Sequence, residues 1–268
     1  MDQPPSIPLL AQIDQLKAEK KRLEAELNLA KDLQLGMLPT NAPTLPSALG
    51  AQLYAKLIPA REVGGDFYDY YWLDDARLVI VMGDVSGKGV AAGFMMAICK
   101  ALLQSKATDE ASPARIVTHV NNQLAAHNPN HMFVTLFLGI WAPGTQTLTY
   151  TNAGHNPTLV RRSSGQVLKL TDLHGPVVAA MEDLEYGESV VDLVQGDVVF
   201  AYTDGITEAH NSARELFGEK RLIDALQQPY QNPKELVERI FMNILLFERG
   251  EEQFDDITAL CLELIDAS

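Results

Sequence analysis

Met132-Phe133-Val134-Thr135-Leu136-Phe137-Leu138-Gly139-Ile140 runs into Pro143-Gly144-Thr145, and Leu148 and Tyr150 follow. In the first run Met132, Val134, Leu136, Leu138 and Ile140 alternate with Phe133, Thr135 and Phe137. A side-chain period of two belongs to a β-strand, and a Pro-Gly step between two such runs predicts an antiparallel hairpin. Two more hairpins are expected downstream. One joins residues 157–162 to 167–170 across Ser163-Ser164-Gly165, and the other joins 189–194 to 198–203 across Gly196-Asp197. Upstream, residues 53–58, 67–73 and 78–84 are short β-rich runs broken by Gly and Asp, and residues 257–265 close the chain as a strand. Helices are expected at 90–106, 112–127, 219–228 and 233–248, the second opened by Ser112 as N-cap with Pro113 behind it. Hairpins interrupted by helix pairs imply an α+β fold with mostly antiparallel sheets, not the alternating βαβ of a doubly wound fold.

Residues 1–38 follow another rule. Leu9, Ile13, Leu16, Lys20, Leu23, Leu27, Ala30, Gln34 and Met37 are spaced alternately four and three apart. That is the heptad signal of a coiled-coil seam, with Ile13, Lys20, Leu27 and Gln34 at a and the others at d. The expectation is a dimerisation helix over 9–38; the alternative is a single amphipathic helix lying on the domain. Pro39, Pro43 and Pro46 end the helix and make 39–50 a stiff linker, leaving 51–268 as the main domain.

The chain has 268 residues, 35 acidic and 21 basic, for a net charge of −14. Such acidity excludes an electrostatically driven nucleic-acid binder and disfavours docking to anionic membranes. Two cysteines far apart, Cys99 and Cys261, give neither a disulfide framework nor a zinc site. The N-terminus shows no secretory signal, and the longest weakly polar run, residues 90–99, is ten residues long, against the ~20 a membrane span needs. A cytoplasmic protein is expected.

Four acids share one context. Asp66 follows Gly64-Gly65, Asp84 ends the apolar run 78–83, Asp204 ends the run 198–203, and Asp255-Asp256 opens Ile257-Thr258-Ala259-Leu260. Each sits where a strand meets a loop. Singly, a Gly-Asp or Asp-Gly step often only marks a turn. If the four strand ends meet at one edge, the cluster needs cations to stay ionised. All-oxygen donors suit Mg²⁺ or Mn²⁺, and two such ions about 3.5–4 Å apart activate water for attack on phosphorus.

The motifs Val63-Gly64-Gly65-Asp66-Phe67-Tyr68-Asp69, Gly83-Asp84-Val85-Ser86-Gly87-Lys88-Gly89, Asn152-Ala153-Gly154-His155-Asn156-Pro157, Tyr202-Thr203-Asp204-Gly205 and Asp255-Asp256-Ile257-Thr258 occur in that order. Together they resemble the SpoIIE/RsbU branch of the metal-dependent protein phosphatase 2C superfamily, over residues 33–265. The resemblance implies two packed antiparallel sheets flanked by helices, with a dinuclear Mn²⁺ or Mg²⁺ centre at one edge. It assigns Asp66, Asp84, the Val85 carbonyl, Asp204 and Asp255 as ligands. The superfamily's Asp-Asn pattern sets Asp256 in the Asn position, so Asp255 is favoured over Asp256. It makes Asp69 a supporting residue. Arg61, five residues before Asp66, matches an arginine that grips substrate phosphate; otherwise it is a surface residue. Asp84-Val85-Ser86 stands where many relatives have Asp-Gly-His, so that candidate acid is absent. His155 is left as a substitute acid, a substrate contact or a turn cap, and Lys88 as an anion contact or a solvated charge.

By the same resemblance, the expected activity is hydrolysis of phosphoserine or phosphothreonine on a protein. The implied substrate is a phosphorylated STAS-domain protein of bacterial partner switching. A homodimer through 9–38, with an upstream regulator gripping the same segment, would control it. A degenerate scaffold and a hydrolase of small phosphate esters are the alternatives.

Overall fold

The computed structural model describes residues 7–39 and 50–266, with side chains from residue 11. Residues 40–49, most of the expected linker, lie outside the described residues, as does the Leu9 side chain.

Among the described residues, ten strands form two sheets. One holds β1 (Ala51–Ile58), β10 (Ile257–Leu264), β9 (Val198–Tyr202), β6 (Thr158–Arg161) and β7 (Val167–Leu170) in that order. The other holds β2 (Phe67–Asp74), β3 (Arg77–Val85), β4 (Val134–Ala142), β5 (Thr147–Ala153) and β8 (Ser189–Asp192). Every neighbouring pair is antiparallel. Helices α2 (Val90–Ala107) and α3 (Pro113–Ala125) cover the β2–β8 sheet, while α6 (Pro233–Glu248) packs on β1 and β10, with α5 (Gly218–Leu226) against it. This is the expected α+β sandwich of two antiparallel sheets flanked by helices.

The period-two rule explains the layers. Along β9 and β10, Val199, Ala201, Leu260 and Leu262 enter the core between the sheets. Their neighbours Val198, Phe200, Tyr202, Ala259 and Cys261 enter a second core under α5 and α6. In β3, residues 78–82 are all at most 1% exposed, so this strand is covered on both faces and reads as an unbroken apolar run.

The Ser112 cap falls as expected, and Asn232 caps α6 in the same way. Ser112 accepts from the Arg115 amide with Pro113 at N1, and Asn232 accepts from the Glu235 amide with Pro233 at N1. Helix α2 continues past Cys99 to Ala107, which makes it long and apolar enough to cross a membrane by length and composition. Here Met96, Cys99 and Leu103 are buried, and Lys100 pairs with the buried Asp69, which also accepts from Gln104 Nε2 at 2.8 Å. That polar tie fixes α2 to β2.

One expected hairpin is corrected. Residues 189–194 and 198–203 do not pair; β8 joins β5, and β9 joins β10 and β6. The Asp197 carboxylate is fully buried and accepts from Arg162 Nη1 and from the amides of Ser163 and Val194. Its anchoring sends the chain from one sheet to the other.

Helix α1 (Ile7–Met37) precedes the sandwich. Leu16 and Leu23 of the expected seam are exposed. Gln34 is not a seam residue: it is buried against the domain, and Leu35 and Leu38 join the core. The last turn of α1 therefore belongs to the sandwich, as the alternative of a helix lying on the domain implies for this turn.

Candidate metal centre

The antiparallel ladder brings the acidic strand ends together. Asp66 directly precedes β2, Asp84 is the penultimate residue of β3, Asp204 starts α4 (Asp204–Glu208) right after β9, and Asp255 and Asp256 precede β10. Phe67 pairs with Gly83 across β2 and β3, which sets Asp66 beside Asp84. Ile58, Ile257 and the end of β9 lie at the same edge of the facing sheet.

Asp66 is 3% exposed, and one carboxylate oxygen accepts from the hydroxyls of Thr203 (2.7 Å) and Thr258, both fully buried. Burial, then Asp84 and Asp256, push its pKa well above the usual carboxylate range despite those donors. Asp84 is pushed up to about 7, first by burial and then by Asp204 and Asp255. Asp204 is raised by burial, then by Glu208 and Asp255. Among the described residues no three acids stand at the spacing of a closed metal cage. Asp66, Asp84, Asp204 and Asp255 nonetheless share one electrostatic field, in which each ionised carboxylate disfavours ionisation of its neighbours. An all-carboxylate cluster of this kind, free of His and Cys, fits hard divalent cations by the chemistry of its donors.

Asp256, included among the expected metal-binding residues, differs from the other acids in that both of its oxygens accept from backbone amides. It is 4% exposed; one oxygen accepts from the Ala60 amide at 2.8 Å and the other from the Gly65 amide at 2.9 Å. A Cβ on Gly64 would sit 2.0 Å from that second oxygen, and one on Gly65 would sit 2.5 Å from the Val85 carbonyl oxygen. The glycine pair therefore lets the Asp66 loop close on Asp256 and Val85. Asp255 faces the other way, toward Lys88, whose Nζ lies 2.9 Å from its carboxylate.

The family model for Stage II sporulation protein E (SpoIIE) matches residues 74–265. The chain belongs to the SpoIIE family. Protein IcfG of Synechocystis sp. is 30% identical over 264 residues, which cover 88% of this chain and 41% of IcfG. Phosphoserine phosphatase RsbU of Bacillus subtilis is 24% identical over 249 residues, covering 92% of this chain and 72% of RsbU. The chain thus spans about two fifths of the length of IcfG. The SiaA-PP2C domain of Pseudomonas aeruginosa superposes with a TM-score of 0.81 at 22% identity, covering 93% of this chain and 99% of that one. The catalytic domain of the serine/threonine phosphatase PstP, solved with two manganese ions, gives a TM-score of 0.61 at 18% identity, covering 81% of this chain and 99% of PstP's domain. These likenesses establish a PP2C-like fold.

Beside the acids, this SpoIIE-family chain has a cavity of about 520 Å³ lined in part by Arg61, Lys88, His210, Arg214, Glu252 and Phe254. Arg61 is exposed there, and Lys88 also donates to the Phe254 carbonyl oxygen and lies over the Phe254 ring. Lys88 is therefore already paired, and the expectation of a free anion contact narrows to Arg61. A larger cavity, about 770 Å³, lies against α5 and α6, and none of the five aspartates lines it.

His155 is corrected as a substrate contact. It is 4% exposed, its Nδ1 lies 2.7 Å from the Thr135 hydroxyl and its Nε2 3.1 Å from the Tyr202 carbonyl oxygen. Burial lowers its pKa to about 4, which favours the neutral ring at neutral pH over the imidazolium a general acid needs.

Sequence reasoning missed Gln34, Thr203, Thr258 and Glu208. Gln34 Nε2 donates to the Gly64 carbonyl oxygen at 2.8 Å, and the Gly64 amide returns a bond to Gln34 Oε1 at 3.0 Å. Thr203 and Thr258 adjoin Asp204 and Ile257 in the quoted motifs, a proximity that could have flagged them. Gln34 looked like a polar seam position and gave no such signal.

Proposed function

We propose that the chain is a metal-dependent protein serine/threonine phosphatase acting in bacterial partner switching on a phosphorylated STAS-domain protein. The observation that carries this reading is the convergence of Asp66, Asp84, Asp204 and Asp255 at one edge of the sandwich, where burial and mutual repulsion raise the pKa of Asp66, Asp84 and Asp204. Asp66, Asp84, Asp204, Asp255 and the Val85 carbonyl would hold two Mn²⁺ or Mg²⁺ ions. Such ions supply Lewis-acid polarisation of phosphoryl oxygens and a water acidic enough to attack phosphorus at neutral pH. RsbU, a phosphoserine phosphatase, and PstP, a serine/threonine phosphatase solved with two manganese ions, support the same chemistry.

The chain's own residues do the positioning. Thr203 and Thr258 orient Asp66, Lys88 orients Asp255, and the Asp256 cap holds the Gly64-Gly65 loop. Arg61, at the mouth of the adjoining cavity, is suited to grip a phosphoryl group through its guanidinium fork. All four aspartates are present, which speaks against a degenerate scaffold.

Control is assigned to α1. Its exposed Leu16 and Leu23 suit a second copy of the helix in a homodimer, or a regulator that grips it. Gln34 would then transmit the helix's position to Gly64, two residues before Asp66.

Phosphate release from a phosphoserine STAS-domain protein, with Mn²⁺ and with chelator, tests the reading against p-nitrophenyl phosphate. Metal-dependent release with higher kcat/KM on the protein is expected. Release from the small ester alone would favour an esterase of small molecules, and no release from either would favour a scaffold.

A further inference from the structure

The histidine of Asn152-Ala153-Gly154-His155-Asn156-Pro157 is buried below the acids, and neither catalysis nor substrate binding has used it. Its turn is locked. The Asn152 side chain donates to the His155 carbonyl oxygen at 3.0 Å and accepts from the His155 amide at 2.8 Å. Gly154 takes φ of 69°, and a Cβ there would meet Val177 Cγ1 at 2.6 Å. A ring held by such a turn has little freedom to swing.

The two contacts of the ring lie on different sheets. Thr135 belongs to β4 and is the cross-strand partner of Asp84. Tyr202 ends β9, and the next two residues are Thr203, which holds Asp66, and Asp204. The tautomer follows from the partners. A carbonyl oxygen only accepts, so Nε2 carries the proton and donates to Tyr202. Nδ1 is then bare and accepts from the Thr135 hydroxyl. Donor and acceptor are matched at both ends, with the ring neutral.

We infer that His155 is a positioning residue, a strut between the two sheets that sets the gap between the strand ends carrying Asp84 and Asp204 and so sets the divalent-metal affinity of the centre. The inference rests on the proposed metal centre. It differs from a turn cap, because a cap would use the ring or backbone within the turn, whereas these ring bonds reach 20 and 47 residues away in sequence. Groups that orient ligands from behind typically change metal affinity 10- to 100-fold when removed.

The test is Mn²⁺ binding to the full chain, read by electron paramagnetic resonance of the free ion, with no substrate present. Thr135→Val keeps the side-chain shape and removes the hydroxyl; Thr135→Ser restores it. His155→Phe removes both ring bonds. Thr135→Val and His155→Phe are expected to weaken Mn²⁺ binding by about tenfold, with unfolding temperature near wild type for Thr135→Val and binding rescued in Thr135→Ser. The ¹⁵N spectrum of the wild type is expected to show the His155 proton on Nε2. Wild-type Mn²⁺ binding by Thr135→Val overturns the inference; should His155→Phe fail to fold, Thr135→Val alone decides it. A wild type that binds no Mn²⁺ overturns the metal centre itself, a result distinct from equal binding by wild type and variants.

Discussion

At the residue scale, the five acids of the centre divide by what their oxygens touch. Asp255 faces Lys88 and the cluster, while both Asp256 oxygens are taken by backbone amides. Asp255→Asn is expected to weaken Mn²⁺ binding by at least about tenfold. Asp256→Asn keeps an acceptor and is expected to bind near wild type. Asp256→Ala strands the amides of Ala60 and Gly65, at about 1–3 kcal/mol each, and is expected to lower the unfolding temperature by several degrees; calorimetry of the pair checks this. Asp84 gives a pH prediction. Its folded pKa of about 7 lies above its unfolded value near 3.8, so in metal-free protein its contribution is fully present below the unfolded value and is lost as pH rises through about 7. Metal-free Asp84→Asn should therefore melt higher than wild type above pH 7, and this gain should vanish below about pH 4. Mn²⁺ binding by the wild type should weaken and release more protons as pH falls below 7. The acids were legible in the sequence because each sits where a strand meets a loop, beside a Gly or a second Asp. The Asp256 cap was not, since its amide partners are 191 and 196 positions away and their approach exists only in the folded sheet.

At the element scale, strands and most helix bounds could be read from period and caps, because each is a local property. The exception is the step across Gly196-Asp197. The turn residues read as a hairpin, yet the buried Asp197 carboxylate bonds to Arg162 and Ser163 beyond β6 and parts β8 from β9. Helix α1 misled in a similar way. Its heptad pattern is real through Leu23 and Leu27, but at Gln34 the same spacing serves a contact with the Gly64 loop. Gln34→Ala leaves both backbone groups of Gly64 without their side-chain partner, at about 1–3 kcal/mol each if water does not replace it. It is expected to lower both thermal stability and Mn²⁺ affinity. Unchanged Mn²⁺ affinity in this variant would separate α1 from the centre.

At the scale of the whole molecule, the two-core sandwich and the helix in front of it divide the labour. The net charge of −14 falls to −10 if two divalent ions bind, and the acids at the sheet edge account for that change. Exposed Leu16 and Leu23 on α1 predict a dimer by sedimentation that Leu16→Glu with Leu23→Glu converts to monomer. Deletion of residues 1–38 should change turnover on the phosphoprotein; identical turnover with and without the segment contradicts control by α1. The most direct test of the central claim is Mn²⁺-dependent phosphate release from a phosphoserine protein by wild type and by Asp204→Asn. The account predicts release by the wild type and a loss on the order of a hundredfold or more in the variant. Equal rates would contradict it.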